Sequence, residues 1–391
     1  MITTPITAAH VRGVAELEPT DRSVRLHRLP AWVRDQFPDG QLLAMESQPS
    51  GARLVFRTDA TTVELVSHPT RVAYRGADRA RGCFDVYVDG DLASRDVLDG
   101  GDAMVVDLTT GATAYEPGPS HTTTVRLPEG THHVEVWMPH NEALDLVELR
   151  SDAPLAQDVS ARPRWLHHGS SISHGSNASA PSETWPAVAA RLGGVELRNL
   201  GLGGSALVDP FLARVMRDTE ADVISVKLGI NVVNLDAMRL RAFVPAVHGF
   251  LDTIRDGHPA TPLLLLSPIF CGIHESVPGP GAVDPATLGT DQVRFMVTGD
   301  PAEVAQGKLT LEVIRRELRS LFERRAGDPH LHYLEGTELY GPVDAVELPL
   351  PDALHPGPEA HRVMGERFAR LVFGEGGAFG RSGHVVSAAG G

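Results

Sequence analysis

The chain has 391 residues, of which 42% are hydrophobic and 22% are charged. This length exceeds the usual size of one domain, so we expect two domains, each with its own core. The formal net charge of −15 disfavours nucleic acids and anionic membrane surfaces as partners. The sequence shows neither a signal-peptide pattern nor eighteen consecutive apolar residues, and we therefore expect a cytoplasmic protein without a membrane span.

Residue usage sets two further expectations. Cys83 and Cys271 lie far apart and form no Cys-x-x-Cys spacing, so we expect buried thiols and neither a disulfide framework nor a cysteine metal site. Lysine occurs only at positions 227 and 308, and arginine, alanine, glycine and proline are frequent. We interpret this bias as that of a GC-rich, bacterial genome.

Residues 1–155 contain short alternating runs of apolar and polar residues separated by turn dipeptides such as Asp89-Gly90. This pattern predicts an all-β domain, a sandwich or jelly roll, which ends at a polar linker over 151–163. Two roles are open for this domain. It binds carbohydrate, or it packs against the C-terminal domain and walls one side of its cleft. The small number of aromatic residues favours packing.

Residues 160–373 have a different pattern, in which short apolar strands alternate with helical segments. This alternation predicts a parallel sheet covered by helices. A Gly/Ala/Ser-rich tail over 374–391 is expected to be disordered. The predicted strands are 164–169, 195–201, 221–229, 262–270 and 331–336, and the clearest predicted helices are 184–192, 311–325 and 358–372.

Polar motifs follow three of these strands. Gly169-Ser170-Ser171 places Ser171 just beyond the first strand, Gly203-Gly204 places Gly204 just beyond the second, and Gly229-Ile230-Asn231 places Asn231 just beyond the third. Ligands of parallel sheets collect at the carboxyl ends of the strands, so we expect these three motifs to converge. The fourth motif, Asp352-Ala353-Leu354-His355, lies in a Pro-flanked loop near the C-terminus.

The four motifs together supply the parts of a serine acyl-transfer site. Ser171 is the candidate nucleophile, His355 the candidate base, and Asp352 the acid that orients the base. The backbone N–H groups of Ser171 and Gly204 and the side-chain amide of Asn231 are candidate donors of an oxyanion hole. Ser170 is an alternative nucleophile, although the spacing to the following residues favours Ser171.

In order and type, these motifs resemble those of the SGNH (GDSL-type) hydrolases over roughly residues 160–373. The resemblance maps Ser171, Gly204, Asn231 and His355 to the family's named residues, and it implies a flavodoxin-like α/β fold. Two positions depart from the family pattern: Ser170 replaces the Asp of Gly-Asp-Ser, and Val232 replaces an Asp that often follows the asparagine.

Two other features bear on the family. The nucleophile elbow of α/β-hydrolases requires Gly-x-Ser-x-Gly, and Ser173 occupies the position of its second glycine, which disfavours that fold. In the N-terminal region, the segment 83–87 is similar to the Gly-x-Asp-Leu-Tyr signature of the β domain in one SGNH subgroup, with Cys83 in place of the glycine.

The resemblance implies a serine esterase that needs no cofactor and removes acetyl or other short acyl groups from a carbohydrate or glycoside. Alternative functions are a small-molecule short-chain esterase, an acyltransferase, and a non-catalytic carbohydrate-binding protein. Further substrate contacts are predicted at His174, His274 and Glu275. The long Pro/Gly-rich connection 271–308 is expected to form part of the cleft or a lid.

The sequence also offers two alternative sites. Several histidines surround the motifs, but they form no His-x-x-x-His pair and no carboxylate cluster accompanies them, so we expect no metal. Lys227 lies in a predicted strand and is either a buried functional amine or, as we favour, a side chain leaving the edge of the sheet.

Overall fold

Strands dominate the first 157 residues, and strands alternate with helices from residue 164 onward. A computed structural model describes residues 1–75, 79–107, 110–159, 161–290 and 292–380. The N-terminal strands are β1 (Ile2–Thr4), β2 (Val11–Arg12), β3 (Glu16–Thr20), β4 (Ser23–His27), β5 (Arg53–Thr58), β6 (Thr62–Arg75), β7 (Cys83–Val88), β8 (Asp91–Val97), β9 (Asp102–Asp107), β10 (Thr113–Glu116), β11 (His121–Arg126), β12 (His132–Trp137), β13 (Ala143–Ser151) and β14 (Leu155–Gln157). The later strands are β15 (Arg164–Gly169), β16 (Glu196–Gly201), β17 (Val223–Lys227), β18 (Leu263–Leu266), β19 (Gly281–Val283), β20 (Phe295–Val297) and β21 (Leu331–Leu334).

The helices include two in the N-terminal region. They are α1 (Ala31–Gln36), α2 (Gly40–Glu46), α3 (Ser171–His174), α4 (Trp185–Gly193), α5 (Pro210–Asp218), α6 (Ile230–Asn234), α7 (Leu240–Gly257), α8 (Leu311–Arg324), α9 (Pro342–Glu347) and α10 (Pro358–Phe368). Short 3₁₀ helices occur at Pro181–Glu183, Pro285–Thr287, Pro301–Gln306 and Gly336–Glu338, and a π-helical turn at Ala369–Phe373. Within the described ranges, no helix is long and apolar enough to cross a membrane.

Two sheets form the N-terminal region. One has the strand order β10-β9-β6-β13-β4-β3, with β1 paired to β13 and β11 to β6, and the other has the order β14-β5-β12-β7-β8, with β2 paired to β5. Apolar side chains of both sheets, including Phe56, Phe84 and Leu146, form one buried cluster. Because inward apolar residues alternate with outward polar ones along these strands, the sequence pattern had predicted this β-rich region, and the structure confirms it.

The C-terminal region contains a five-stranded sheet in the order β16-β15-β17-β18-β21, and every neighbouring pair is parallel. In chain order this is 2-1-3-4-5, the flavodoxin-like arrangement, and it confirms the predicted fold class. The strands are apolar runs because helices cover both faces of the sheet; the four leucines of β18, for example, are all buried. The order reverses at β15, which places the carboxyl ends of β15, β16 and β17 side by side.

Helix ends follow the sequence signals closely, with one exception. α4 ends at Gly194, which has a φ of +61°, and α8 begins after Thr310, whose side chain accepts a hydrogen bond from the backbone N–H of Val313. The predicted helix 358–372 instead changes to a π-helical turn after Phe368. This turn brings the ring of Phe373 to 5.2 Å from the Trp165 ring.

Part of the predicted disordered tail is ordered. Residues 374–380 fold back on the core, where the backbone N–H of Phe379 donates to the carbonyl of Val372 at 2.8 Å. The Phe379 ring lies 5.9 Å from the Phe373 ring. The expectation of disorder is therefore wrong for 374–380, because an aromatic residue anchors a sequence that composition alone describes as flexible. Residues 381–391 lie outside the described residues.

Buried polar contacts join the N-terminal β-rich region to the C-terminal region. Asp85 accepts a hydrogen bond from the Ser182 hydroxyl at 2.6 Å, and the Tyr87 hydroxyl lies 3.1 Å from the same Ser182 hydroxyl oxygen. The segment 83–87, singled out in the sequence, thus contacts the 3₁₀ helix that precedes α4. The region predicted as a polar linker is also partly strand, since β14 pairs with β5.

These contacts predict that the C-terminal region depends on the N-terminal one. A chain beginning at Ala161 would leave the buried side chains of this interface exposed and unpaired, and we expect it to be poorly soluble and to melt at lower temperature than the full chain. Soluble yield and thermal melting measure this. A soluble, monomeric fragment with the melting temperature of the full chain would contradict it.

Candidate active site

Ser171 is the first residue of α3, and only Ser170 separates it from the end of strand β15. Ser170, the alternative nucleophile, is 1% exposed, and its hydroxyl accepts a hydrogen bond from the backbone N–H of Ile172 at 3.4 Å. Ser170 therefore acts as the N-cap of the short helix, whereas Ser171 is partly exposed. Gly169 permits this tight turn, since a Cβ there would lie 2.3 Å from the Ser173 hydroxyl oxygen.

His355 lies between Ser171 and Asp352, although 184 residues separate it from the serine in sequence. Its Nε2 is 2.9 Å from Ser171 Oγ, and its Nδ1 is 2.7 Å from Asp352 Oδ2. With a carboxylate at Nδ1, the neutral ring carries its proton on that nitrogen and accepts the serine proton at Nε2. This is the hydrogen-bonded order of nucleophile, base and acid that acyl transfer requires.

Backbone and side-chain donors hold the Asp352 carboxylate in place. Its Oδ1 accepts from the backbone N–H groups of Leu354 at 2.9 Å and His355 at 2.7 Å, and its Oδ2 accepts from the Asn177 amide at 3.1 Å. Burial alone would raise the pKa of Asp352, but the hydrogen bonds from His355 and the backbone outweigh it and hold the pKa below its ordinary value. The group therefore remains a carboxylate at neutral pH.

The long connection after β18 also reaches this loop. Its strands β19 and β20 form a hairpin, and the backbone N–H of Phe295 in β20 donates to the Asp352 carbonyl at 2.8 Å. The Phe295 ring meets the His355 ring edge to face, with centroids 5.6 Å apart. This half-buried aromatic residue packs on the base, and no local signal in the sequence singles it out.

The other two motifs lie at the ends of the neighbouring strands. Gly204 follows β16 and has a φ of +68°, a backbone conformation that favours glycine. Asn231 lies in the first turn of α6 after β17, and its Oδ1 accepts from the backbone N–H of Ala206 at 3.1 Å. Because this bond fixes the oxygen of the amide, the Nδ2 donor is oriented away from Ala206.

Helix α2 of the N-terminal region covers the glycine loop. Gln41 Nε2 donates to the Gly203 carbonyl at 2.9 Å, and a Cβ on Gly204 would lie 3.2 Å from the same nitrogen. The Met45 sulfur lies 2.9 Å from the place that a Cβ on Gly203 would occupy. The sequence carries no local signal for these contacts, since about 160 residues separate the helix from the loop.

The predicted substrate contact at His174 needs correction. The side chain is 4% exposed, with Nδ1 3.1 Å from an Arg28 nitrogen and Nε2 2.6 Å from the His140 carbonyl. Burial and the nearby Arg28 cation hold the pKa of His174 well below its ordinary value, so the ring is neutral. His174 belongs to the interface between the two regions.

His274 and Glu275 need the same correction. His274 is fully buried, and its Nε2 lies 3.1 Å from Asn234 Oδ1. Glu275 accepts from the backbone N–H of Cys271 at 2.8 Å and forms an ion pair with Arg315. Both side chains bond to partners within the protein and stabilise the start of the long connection. They are framework residues and not the substrate contacts that the sequence predicts.

The expectation that Lys227 leaves the sheet edge is wrong. Its strand, β17, lies in the middle of the sheet, and the side chain is 2% exposed. Burial lowers the pKa of this amine to about 8.

The histidines of β15 are buried as well: the ring nitrogens of His167 bond the hydroxyls of Ser225 and Ser173, at 2.7 and 2.8 Å. In the part of the chain that the structure describes, no three His, Cys, Asp or Glu side chains are grouped as metal ligands.

Part of the C-terminal region matches a known protein family. Residues 164–271 match the model of the GDSL-like lipase/acylhydrolase family. This segment contains the serine, glycine and asparagine motifs. No curated protein gives a significant match to the chain.

Solved structures extend the likeness over both regions. A salicylyl-acyltransferase from a tetracycline biosynthetic pathway is 28% identical, with a TM-score of 0.75 over 92% of each chain. A Bacteroides ovatus protein classed as a GDSL-like lipase is 17% identical, with a TM-score of 0.64 over 92% of this chain and 93% of its own. A family two carbohydrate esterase from Clostridium thermocellum, solved in complex with cellohexaose, is 14% identical, with a TM-score of 0.54 over 83% of this chain and 92% of its own. Residues 164–271 thus form a GDSL-like lipase/acylhydrolase domain, and a β-rich region precedes it.

Proposed function

We propose that the protein is a serine esterase that transfers an acyl group through an acyl-enzyme on Ser171. The observation that supports this most is the hydrogen-bonded sequence of Ser171, His355 and Asp352, with distances of 2.9 and 2.7 Å. A nucleophile, a base and an orienting acid from two distant segments meet at the carboxyl ends of the strands, where ligands of this fold bind.

The proposed reaction has two steps. In the first, Ser171 Oγ attacks the ester carbonyl carbon while His355 Nε2 takes the hydroxyl proton, and the same proton then passes to the departing alcohol oxygen. In the second, water attacks the acyl carbonyl carbon while His355 Nε2 takes one of its protons, and His355 then returns that proton to Ser171 Oγ as the carboxylic acid leaves. Asp352 remains ionised and stabilises the imidazolium that forms in each step.

The oxyanion of each tetrahedral intermediate is proposed to lie between three donors. These are the backbone N–H groups of Ser171 and Gly204 and the Nδ2 group of Asn231. The N–H of Ser171 belongs to the first turn of α3, where a helix leaves its amide protons without an internal acceptor. Preorganised donors of this kind supply a large part of the rate enhancement in acyl transfer.

As substrate we propose an acetyl or other short acyl ester of a carbohydrate or glycoside. The fold shared with a family two carbohydrate esterase supports this class. Transfer of the acyl group to an alcohol is the second candidate, favoured by the 28% identity to a salicylyl-acyltransferase over nearly the whole chain. The two functions share the acyl-enzyme and differ in whether water or an alcohol takes the acyl group.

The experiment compares p-nitrophenyl acetate, butyrate and octanoate with acetylated sugars, with and without an added sugar alcohol as acceptor. We expect the acetyl esters to react fastest and to yield free acid. A new ester product that increases with acceptor concentration, while p-nitrophenol release stays constant, favours the acyltransferase. Activity that persists in Ser171→Ala would contradict both.

The oxyanion role of Asn231 gives a quantitative prediction. We expect Asn231→Ala to lower kcat by roughly 10²–10³, about 3–4 kcal/mol of transition-state stabilisation, with little change in KM. Asn231→Asp retains an oxygen to accept from the Ala206 N–H but presents no amide donor, so it should lose at least as much. Steady-state kinetics on the acetyl ester measures both. A loss confined to KM would mean that Asn231 binds substrate equally in the ground and transition states.

A further inference from the structure

Arg28 lies directly after strand β4, in the N-terminal region, yet its guanidinium is inserted beneath the active site. The side chain is 0% exposed. One terminal nitrogen donates to the carbonyls of Asn199 at 3.0 Å and Gly201 at 2.7 Å, at the end of strand β16 and just before the glycine loop. The other donates to the Met45 carbonyl at 2.5 Å and lies 3.1 Å from His174 Nδ1.

We infer that Arg28 is a positioning residue for acyl transfer: it holds the serine helix, the glycine loop and helix α2 in one fixed arrangement. The inference rests on the proposed function, since it concerns the alignment of Ser171 with the oxyanion donors. Arg28 itself contacts no reacting atom.

The contacts of Arg28 connect the elements that carry these groups. Gly201 ends β16, and the loop that follows it contains Gly204. His174 ends α3, the helix that Ser171 begins. The two elements approach so closely at this point that a Cβ on Gly201 would lie 2.4 Å from the backbone nitrogen of His174. The single guanidinium therefore spans the narrow junction between the nucleophile and the oxyanion loop.

The buried charge explains why the arrangement is rigid. A cation removed from water must be compensated by acceptors, and Arg28 has three carbonyls and one ring nitrogen. The negative charge of Glu46 favours the protonated form of Arg28, and the Glu46 carboxylate is itself hydrogen-bonded to the His27 ring. Burial lowers the pKa of Arg28 to about 10, so the side chain stays protonated at neutral pH. Removing it leaves the Asn199 and Gly201 carbonyls and the His174 ring nitrogen without this buried donor.

Arg53 provides a matched control. It is 1% exposed and also connects the N-terminal region to β16, but at the amino end of that strand, through ion pairs with Glu196 at 2.8 Å and Glu135 at 3.1 Å. Arg28 and Arg53 are therefore comparable buried arginines at opposite ends of one strand. A role in interface stability is common to both, whereas a role in alignment belongs to Arg28.

The test measures kcat, KM, thermal melting and the rate of Ser171 modification by a fluorophosphonate in Arg28→Met, Arg28→Lys and Arg53→Met. We expect Arg28→Met to lower kcat and the modification rate by ~10- to 100-fold with a small change in KM, as misplacement of reacting groups does. Arg28→Lys, which keeps the charge without the planar fork, should lie between it and wild type. Arg53→Met should lose melting temperature but keep kcat.

The outcomes separate this inference from the proposed function. Wild-type kcat in Arg28→Met, or an equal loss of kcat in Arg53→Met, would overturn the positioning role while wild-type activity and labelling at Ser171 stand. If Arg28→Met does not fold, Arg28→Lys decides, and wild-type kcat in that variant overturns the inference. Failure of the proposed function would appear differently, as wild-type activity that survives Ser171→Ala.

Discussion

Replacing Ser171 by Ala should lower kcat by roughly 10⁴–10⁶ while the fold is retained. The substitution removes the attacking oxygen, and the residual rate then depends on the oxyanion donors and on binding alone. Steady-state kinetics with an acetyl ester, together with thermal melting, measures the two effects separately. The comparison variant is Ser170→Ala, which removes the N-cap hydrogen bond to the Ile172 N–H. It should cost about 1 kcal/mol of stability and far less activity. If Ser170→Ala were the inactive variant, the assignment of the nucleophile would be wrong.

The second large effect is expected at the base. His355→Ala should reduce kcat by a similar factor, because the imidazole both takes the serine proton and returns it to the leaving group. Asp352→Asn should cost about 10⁴, since an amide at that position no longer favours the tautomer with its proton on Nδ1. Full activity in Asp352→Asn would mean that Ser171 and His355 act without the acid.

The same pair fixes the pH dependence. Only the unprotonated imidazole accepts the serine proton, so kcat/KM should decrease toward acidic pH. The pKa of Asp352 is held below its ordinary value, so its protonation does not contribute until strongly acidic pH is reached. A kcat/KM that rises toward acidic pH would exclude His355 as a general base.

Much of this site was predictable from the sequence because its signals are local. The five parallel strands are short apolar runs, and Ser171, Gly204 and Asn231 each lie just beyond the end of one of them. The carboxyl ends of parallel strands lie at one edge of a sheet, so sequence order alone brings these motifs together. The acid and base are three residues apart in one loop, where backbone geometry sets their distance.

The remaining contacts depend on tertiary packing and leave no local pattern. Gln41 and Met45, in the short helix α2, and Arg28, directly after β4, contact the glycine loop or the end of the strand before it. The Gln41 and Arg28 contacts join residues 162 and 173 positions apart in sequence. Phe295 reaches His355 from a hairpin within a segment that reads as a Pro/Gly-rich loop. Helix α7 is not among the helices whose bounds the sequence predicts, because Pro245 and Gly249 interrupt its pattern, although its buried apolar face stabilises it.

The three histidine and glutamate contacts failed for a related reason. Proximity in sequence to a catalytic motif says little about side-chain direction. His174 lies three residues after Ser171 and points to the interface with Arg28. His274 and Glu275 follow a strand end, as the catalytic motifs do, but each already has a partner within the protein. Burial and pairing, which sequence alone does not give, separate such framework residues from those that face a substrate.

The most direct measurement is covalent labelling of the full chain with a fluorophosphonate, followed by digestion and mass spectrometry of the labelled peptide. The reagent reacts only with a serine that an adjacent base has activated. We predict one phosphonylated residue, Ser171, in the wild-type chain, with a loss of esterase activity that matches the fraction labelled. In His355→Ala we predict no labelling. A label on Ser170, or undiminished esterase activity with no labelled serine, would contradict the assignment of Ser171 as the nucleophile.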